Sequence, residues 1–187
     1  MTITFIGDSF TLGVGDNEDK GWVGRVCEEA GVSYKNAGVQ GDTSDDISER
    51  WKGAAAGADK LVFCFGANDC LLNEHRRVRV GKVERLKNAK AIMMAASRMA
   101  PTLFISPFPI VENEIATKCI ADTARQLSVV AKMNKVPYVN IFDAVKGAKA
   151  WHSEALAGDG AHPGAGGYAE AAKRITEHSV WQDFLKV

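Results

Sequence analysis

The sequence predicts an α/β protein: a five-stranded parallel sheet between two layers of helices. The prediction rests first on alternation. Short segments rich in Val, Ile and Phe alternate with longer segments of three- to four-residue apolar spacing along the 187-residue chain. It rests next on Lys60-Leu61-Val62-Phe63-Cys64-Phe65, nearly all apolar, as a strand covered on both faces should be. Finally, small and polar residues gather where the apolar runs stop, as loops at the carboxyl edge of a parallel sheet do.

Thr2–Gly7 is the first predicted strand. A helical pattern follows over Gly21–Ala30, then a strand over Ser33–Ala37 and a helix over Ser44–Ala56. The apolar run Lys60–Phe65 is the third strand. Val80, Val83, Leu86, Ala89, Met93, Ala96 and Ala100 then mark one face of a helix over roughly Val80–Ala100, which Pro101 stops. Thr102–Ser106 is the fourth strand. A helix over about Asn113–Lys132 places Ala116, Cys119, Thr123, Leu127 and Val130 together. Pro137–Ile141 is the last strand, and Gly167–His178 the last helix. Met93, Met94 and Met99 read as core filler. Regular β-α-β order implies right-handed crossovers and, with five strands, a flavodoxin-like strand order. No repeat, low-complexity stretch or linker interrupts the pattern, so residues 1–187 read as one domain.

The hydrophobic fraction, 46%, and charged fraction, 25%, are those of a globular chain. The 23 basic and 23 acidic side chains cancel, which leaves no overall drive toward nucleic acid or an anionic membrane. The distribution is uneven: residues 1–50 carry ten acidic and four basic side chains, and residues 74–90 carry two acidic and seven basic. The basic stretch reads as a solvated helix face, with a docking surface for an anionic partner as the alternative. The N-terminal segment lacks the basic and long apolar regions of a signal peptide, and no segment has the length of a membrane span. Cys27, Cys64, Cys70 and Cys119 show no CxxC spacing and read as packed thiols, which predicts a reduced, cytoplasmic protein.

Chemistry-bearing residue types sit at the predicted strand ends. Gly7-Asp8-Ser9 follows the first strand, Gly41-Asp42-Thr43-Ser44 the second, Gly66-Ala67-Asn68-Asp69 the third, and Asp159-Gly160-Ala161-His162-Pro163 precedes the last helix. Each has an ordinary reading alone. Ser9 or Ser44 is a helix cap, Gly41-Asp42 a tight turn, Asn68-Asp69 a turn and cap, and His162 a surface histidine. Four such segments at one edge of one small chain are much less ordinary. His75, His152 and His178 read as surface or packing residues, and no Cys/His spacing suggests a metal. No Gly-x-Ser-x-Gly elbow or Walker loop is present.

In these four blocks and their order, over nearly the whole chain, the sequence resembles the SGNH hydrolases of the GDSL esterase/lipase superfamily. Phe10 stands where that family usually has Leu. The resemblance implies a flavodoxin-like α/β/α sandwich and no cofactor or metal. It implies Ser9 as nucleophile, His162 as general base and acid, and Asp159 as its orienting carboxylate. The implied oxyanion donors are the N–H groups of Ser9 and Gly41 and the side-chain amide of Asn68. Asp8 and Asp69 are expected to fix the loops.

These residue types suit ester cleavage. A serine must lose a proton as it attacks, an imidazole takes it near neutral pH, and fixed donors meet the charge that develops on the carbonyl oxygen. The apolar residues Phe10, Leu71, Leu72 and Phe108 are the expected pocket rim, which suits a small or medium acyl ester as the small-molecule substrate. Two alternatives stand beside this reading: a thioesterase or lysophospholipase that takes longer acyl groups, and a non-catalytic flavodoxin-like module that holds a ligand at the same edge. Oligomeric state is not legible.

Overall fold

The computed structural model describes residues 1–187. Strands β1 (Thr2–Gly7), β2 (Ser33–Gly38), β3 (Lys60–Cys64), β4 (Thr102–Ile105) and β5 (Tyr138–Val139) form one parallel sheet in the order β2-β1-β3-β4-β5. This is the flavodoxin-like order. All five predicted strands are present, with β5 cut to two residues. Side chains alternate across the sheet with period two. Ile3, Phe5, Val62, Leu103, Ile105 and Val139 face one core, and Ile6, Leu61, Phe63 and Phe104 face the other. β2 lies at the sheet edge and is correspondingly polar and half exposed.

The helices, in chain order, are α1 (Ser9–Leu12), α2 (Gly21–Ala30), α3 (Ser44–Ala54), α4 (Lys82–Ala96), α5 (Glu114–Met133), α6 (Phe142–Lys146), α7 (Lys149–Ala157), α8 (Ala165–Thr176) and α9 (Ser179–Lys186). A 3₁₀ turn, Asn68–Cys70, follows β3. Trp22 of α2, Trp151 of α7, Tyr168 of α8 and Trp181 of α9 fill the first core. Ile47 and Trp51 of α3, Ile92 and Met93 of α4, and Leu127 of α5 fill the second. Full burial of each such side chain stabilises the fold by roughly 1.5–3 kcal/mol.

Several expectations need correction. Thr43, not Ser44, caps α3. Its side chain accepts the Asp46 N–H, and the Asp46 carboxylate accepts the Thr43 N–H at 2.8 Å, so Asp takes the part that Glu or Gln plays in the usual box. The helix predicted from Val80 starts at Lys82, because the Val80 N–H is held by the Asp69 carbonyl. Val83 is 81% exposed, and Met94 and Met99 are exposed rather than core; the buried face of α4 runs through Arg85, Asn88, Ala89, Ile92, Met93 and Ala96. Helices α1, α6, α7 and α9 were not expected. His178, read as surface or packing, caps α9 by accepting the Val180 N–H. Lys60, at the foot of β3, is buried, and its ammonium donates to the carbonyls of Phe184 (2.6 Å) and Leu185 (2.9 Å) at the end of α9. A cation at a helix C-terminus is favourable, and this one pins α9 beneath the sheet. No helix is long and apolar enough to cross a membrane.

The cysteine reading also fails in part. Cys27 and Cys64 are free and buried, as expected, but Cys70 and Cys119 form a disulfide. Their spacing of 49 residues carries no sequence signature, since β4 and the loop after it lie between them. Arg85 lies against the bond, with Nη1 3.3 Å from Cys119 Sγ and 3.6 Å from Cys70 Sγ. The bond removes the support that four thiols gave to a cytoplasmic location. A crosslink over 49 residues constrains the unfolded chain by about 4 kcal/mol. Unfolded without reductant, the protein should therefore titrate two thiols with a disulfide-exchange reagent, and four after reduction. Reduced protein should melt about 10 °C lower. Four thiols without reductant would remove the bond.

Candidate active site

The first three strands end level with one another. Gly7 pairs with Gly38 of β2 on one side and with Cys64 of β3 on the other, so the three following loops leave the sheet together. Gly7 is required by space: a Cβ there would lie 2.1 Å from the Cys64 carbonyl oxygen and from Thr11 Oγ1.

Ser9 begins α1, and it is not the cap. Asp8 caps the helix, accepting the Phe10 N–H at 3.0 Å. That leaves the Ser9 hydroxyl free of the helix, and it meets His162 Nε2 at 2.7 Å. His162 stands in the turn between α7 and α8. Its Nδ1 lies 2.6 Å from Asp159 Oδ2. Asp159 Oδ1 accepts the backbone N–H groups of Ala161 (2.9 Å) and His162 (2.8 Å). Partial burial would raise the Asp159 pKa. The backbone and side-chain donors of His162, with the Ala161 N–H, outweigh it and bring the pKa down to about 2. An ionised carboxylate only accepts, so Nδ1 carries the ring proton and Nε2 presents its lone pair to Ser9. The Phe10 ring packs on the imidazole, centroids 4.8 Å apart.

The opposite side of the edge is made by two loops tied together. Val39–Asp42 is a turn closed by the Asp42 N–H on the Val39 carbonyl. Gly41 sits at its third position with φ +84°, which a type II turn assigns to glycine. Its N–H meets no acceptor within the protein. Asn68 donates one amide hydrogen to the Asp42 carbonyl at 2.9 Å and keeps the other. Asp69 Oδ1 accepts the Ser44 N–H at 2.7 Å. Asp8 and Asp69 thus hold loops, as expected. Arg50 was not anticipated. From α3 it donates to the Gly7 carbonyl at 2.9 Å and pairs with Asp42, fixing the turn against β1. A lone arginine on a helix gives no sequence signal for such a role.

The expected pocket rim is not assembled. Phe108 is 0% exposed and Phe10 2%; both stack on Trp151 in the core beneath the site. Leu71 is half buried against that core, and Leu72 is 46% exposed on a hairpin beyond Asn68. The cavity that does touch the site, about 380 Å³, lies beside Asp159 and His162 and is lined by Gly15, Glu154, Ala157, Gly158 and Gly164. A larger, more apolar cavity of about 490 Å³ opens at the other end of the sheet, near Thr102, Pro137 and Phe184.

This strand order, with these loops at its carboxyl edge, is the fold of the SGNH hydrolases. The family model of the GDSL-like lipase/acylhydrolase family matches residues 5–170, and the chain belongs to that family. The solved structure of Axe2, an acetylxylan esterase from Geobacillus stearothermophilus, is similar with a TM-score of 0.75 at 19% identity, over 100% of this chain and 94% of that one. The lipase/acylhydrolase of Enterococcus faecalis gives a TM-score of 0.76 at 22% identity, over 97% and 96%. At these identities the likeness is one of fold. The uncharacterized protein YpmR of Bacillus subtilis (strain 168) is 36% identical over 83 residues, 38% of this chain and 32% of that protein. The chain thus matches about a third of that relative's length.

Two aspartates of the edge sit in opposite electrostatic states. Burial pushes the Asp8 carboxyl up from 3.8 to about 7, with Asp69 and Asp42 adding to the rise and the Phe10 N–H opposing it. A carboxyl raised on folding stabilises the fold fully below its ordinary value, and that contribution is lost as pH rises through about 7. Asp159 acts oppositely: its contribution is present above 3.8 and lost as pH falls through about 2. Asp8→Asn should therefore gain in melting temperature relative to wild type as pH rises from 4 to 7, then level off. Thermal melts of both proteins across that range check it; a constant difference would refute the assignment.

Proposed function

We propose that the protein is a serine esterase for small- to medium-acyl carboxylic esters. The observation that carries this is the continuous Asp159–His162–Ser9 chain, 2.6 and 2.7 Å at its two links. Ser9 Oγ attacks the acyl carbon while His162 Nε2 takes its proton. Asp159 holds the ring and balances the imidazolium. The carbonyl oxygen, now negative, is met by the N–H groups of Ser9 and Gly41 and the free amide hydrogen of Asn68. His162 returns the proton to the leaving alcohol, leaving acyl-Ser9. It then activates water, which releases the acid and restores the hydroxyl. Glycine at 41 lets the substrate oxygen reach the main chain, since nothing lies within 4 Å of where a Cβ would project.

Burial of Phe10 and Phe108 favours the shorter acyl groups over the thioesterase or lysophospholipase reading, because no apolar channel leads from Ser9 along them. Acetylxylan, on which Axe2 acts, is an ester with a small acyl group, consistent with that choice. Residues 1–187 act as one domain in this reading, because α8 and α9 pack in the same core as β1.

A fluorophosphonate probe should label Ser9 and not Ser9→Ala. Asn68→Ala should lower kcat about 100- to 1000-fold with little change in fold. Folded protein that fails to label would refute the mechanism. Across p-nitrophenyl acetate, butyrate, octanoate and laurate, kcat/KM should fall with chain length; a maximum at laurate would favour the long-acyl alternative.

A further inference from the structure

The basic run over residues 74–90 is a solvated helix face only in part: Lys82, Lys87 and Lys90 are exposed on α4, whereas Arg76, Arg77 and Arg79 precede it. Before α4 begins, the chain makes a hairpin in which Leu72 and Val78 pair antiparallel. It is a built loop. The Asn73 N–H meets the Arg77 carbonyl at 2.8 Å, and the Asn73 side chain accepts the N–H groups of His75 (3.0 Å) and Arg77 (3.1 Å). At its base the Arg79 N–H meets the Leu71 carbonyl at 2.8 Å, and the Val80 N–H the Asp69 carbonyl. Leu71 is three residues past Asn68, at most about 10 Å along the chain. The hairpin therefore rises from the turn that carries the Asn68 amide.

It presents Arg76, Arg77 and Arg79, all exposed and none in an ion pair. Some helix cations meet acids, as in Lys118–Glu114, Arg174–Glu170 and Lys186–Asp183, and others such as Lys52 and Lys90 stand alone; the hairpin differs in gathering three arginines within four residues. The nearby carboxylates are already engaged. Asp42 is paired with Arg50, Asp45 accepts from Asn88, and Asp46 closes the cap of α3. Arg79 stands at the base of the hairpin, and its charge helps hold the Asp46 carboxyl of α3 below its ordinary value, after the Thr43 hydrogen bonds. Glu74 contacts only His75. A net positive, hydrogen-bonded hairpin thus leaves the turn that carries Asn68, in a chain whose total charge is zero.

We propose that Arg76, Arg77 and Arg79 form a subsite for an anionic group, phosphate, sulfate or carboxylate, carried by the ester substrate. This rests on the esterase reading and narrows it: among esters of equal acyl size, the anionic one is preferred.

The test compares two matched pairs. Phenyl acetates with a para sulfonate or a para sulfonamide put the charge on the alcohol. The mono-p-nitrophenyl ester of glutaric acid against p-nitrophenyl valerate puts it on the acyl side. At low salt, kcat/KM should favour the anion about tenfold in at least one pair, and the preference should shrink between 10 and 500 mM NaCl as screening shortens the reach of the charges. Changing Arg76, Arg77 and Arg79 together to Gln should abolish the preference and leave hydrolysis of the neutral partner unchanged; the triple Lys variant should keep it. Equal ratios in wild type and the Gln variant would overturn the proposal. Loss of binding to phosphatidylglycerol vesicles without a change in ratio would overturn it too, and assign the hairpin to a membrane surface. A readout without turnover separates this from the esterase reading. Calorimetry on Ser9→Ala should show 4-acetamidobenzenesulfonate binding more tightly than its sulfonamide, with the difference lost in the Gln background. If it is lost while wild type cleaves no ester, the esterase reading fails alone.

Discussion

The close approach at Gly7 is the constraint on which the edge depends. With no side chain, this residue lets the Cys64 carbonyl and Thr11 come together where a Cβ would collide with both. β1 can then end flush between β2 and β3, and α1 can turn directly off it. The Gly7 carbonyl is used twice more, by the Val39 N–H and by Arg50. One glycine and its carbonyl therefore set the height of Ser9, the start of the Gly41 turn and the lean of α3. Any larger residue would have to push apart three loops, each of which carries part of the site.

Environment, rather than residue type, separates the carboxylates. Asp8 is buried and takes one N–H as cap, and burial wins, so it tends toward the neutral acid near pH 7. Asp159 is half exposed but is gripped by two backbone N–H groups and the imidazole, and the donors win, so it stays ionised. Beside His162 only an ionised carboxylate fixes the tautomer that Ser9 needs. In the proposed mechanism a full negative charge at Asp8, next to Ser9, would oppose the charge that develops on the substrate, and burial keeps it low.

The sheet was legible in the sequence because β1, β3 and β4 are short, buried and largely apolar, and the polar edge strand β2 falls where their β-α-β alternation requires one. Three of the edge blocks were legible because they stand where strands stop; the fourth, Asp159–Pro163, lies between α7 and α8 and was legible as a motif just before the last helix. What lay hidden depended on tertiary contact. Phe10 and Phe108 look alike in sequence whether they line a pocket or stack on Trp151, and only the position of α7 decides. Helix α9 is short, and its anchor, Lys60, lies 124 residues away from Phe184. The Cys70–Cys119 bond joins residues that no local pattern connects. The α4 face was misplaced because Arg85 and Asn88 are buried for their polar contacts, which hydrophobic periodicity counts as exposed.

These hidden contacts converge on the 3₁₀ turn. Asn68 is held by the Asp42 carbonyl, Asp69 by the Ser44 N–H, and Cys70 by Cys119. Three consecutive residues are thus fastened to three different elements: the Gly41 loop, α3 and α5. A turn this short has few hydrogen bonds of its own and would otherwise move. Donors that are fixed before the reaction stabilise a developing charge without reorganising, and that is where most of their effect on rate comes from. In the proposed mechanism the covalent and polar ties around Asn68 therefore serve the chemistry as much as the fold. The hairpin that leaves this turn is tied to the same anchor, through the Val80 N–H on the Asp69 carbonyl. The anchor that steadies the uncharged amide steadies the charged residues that follow it.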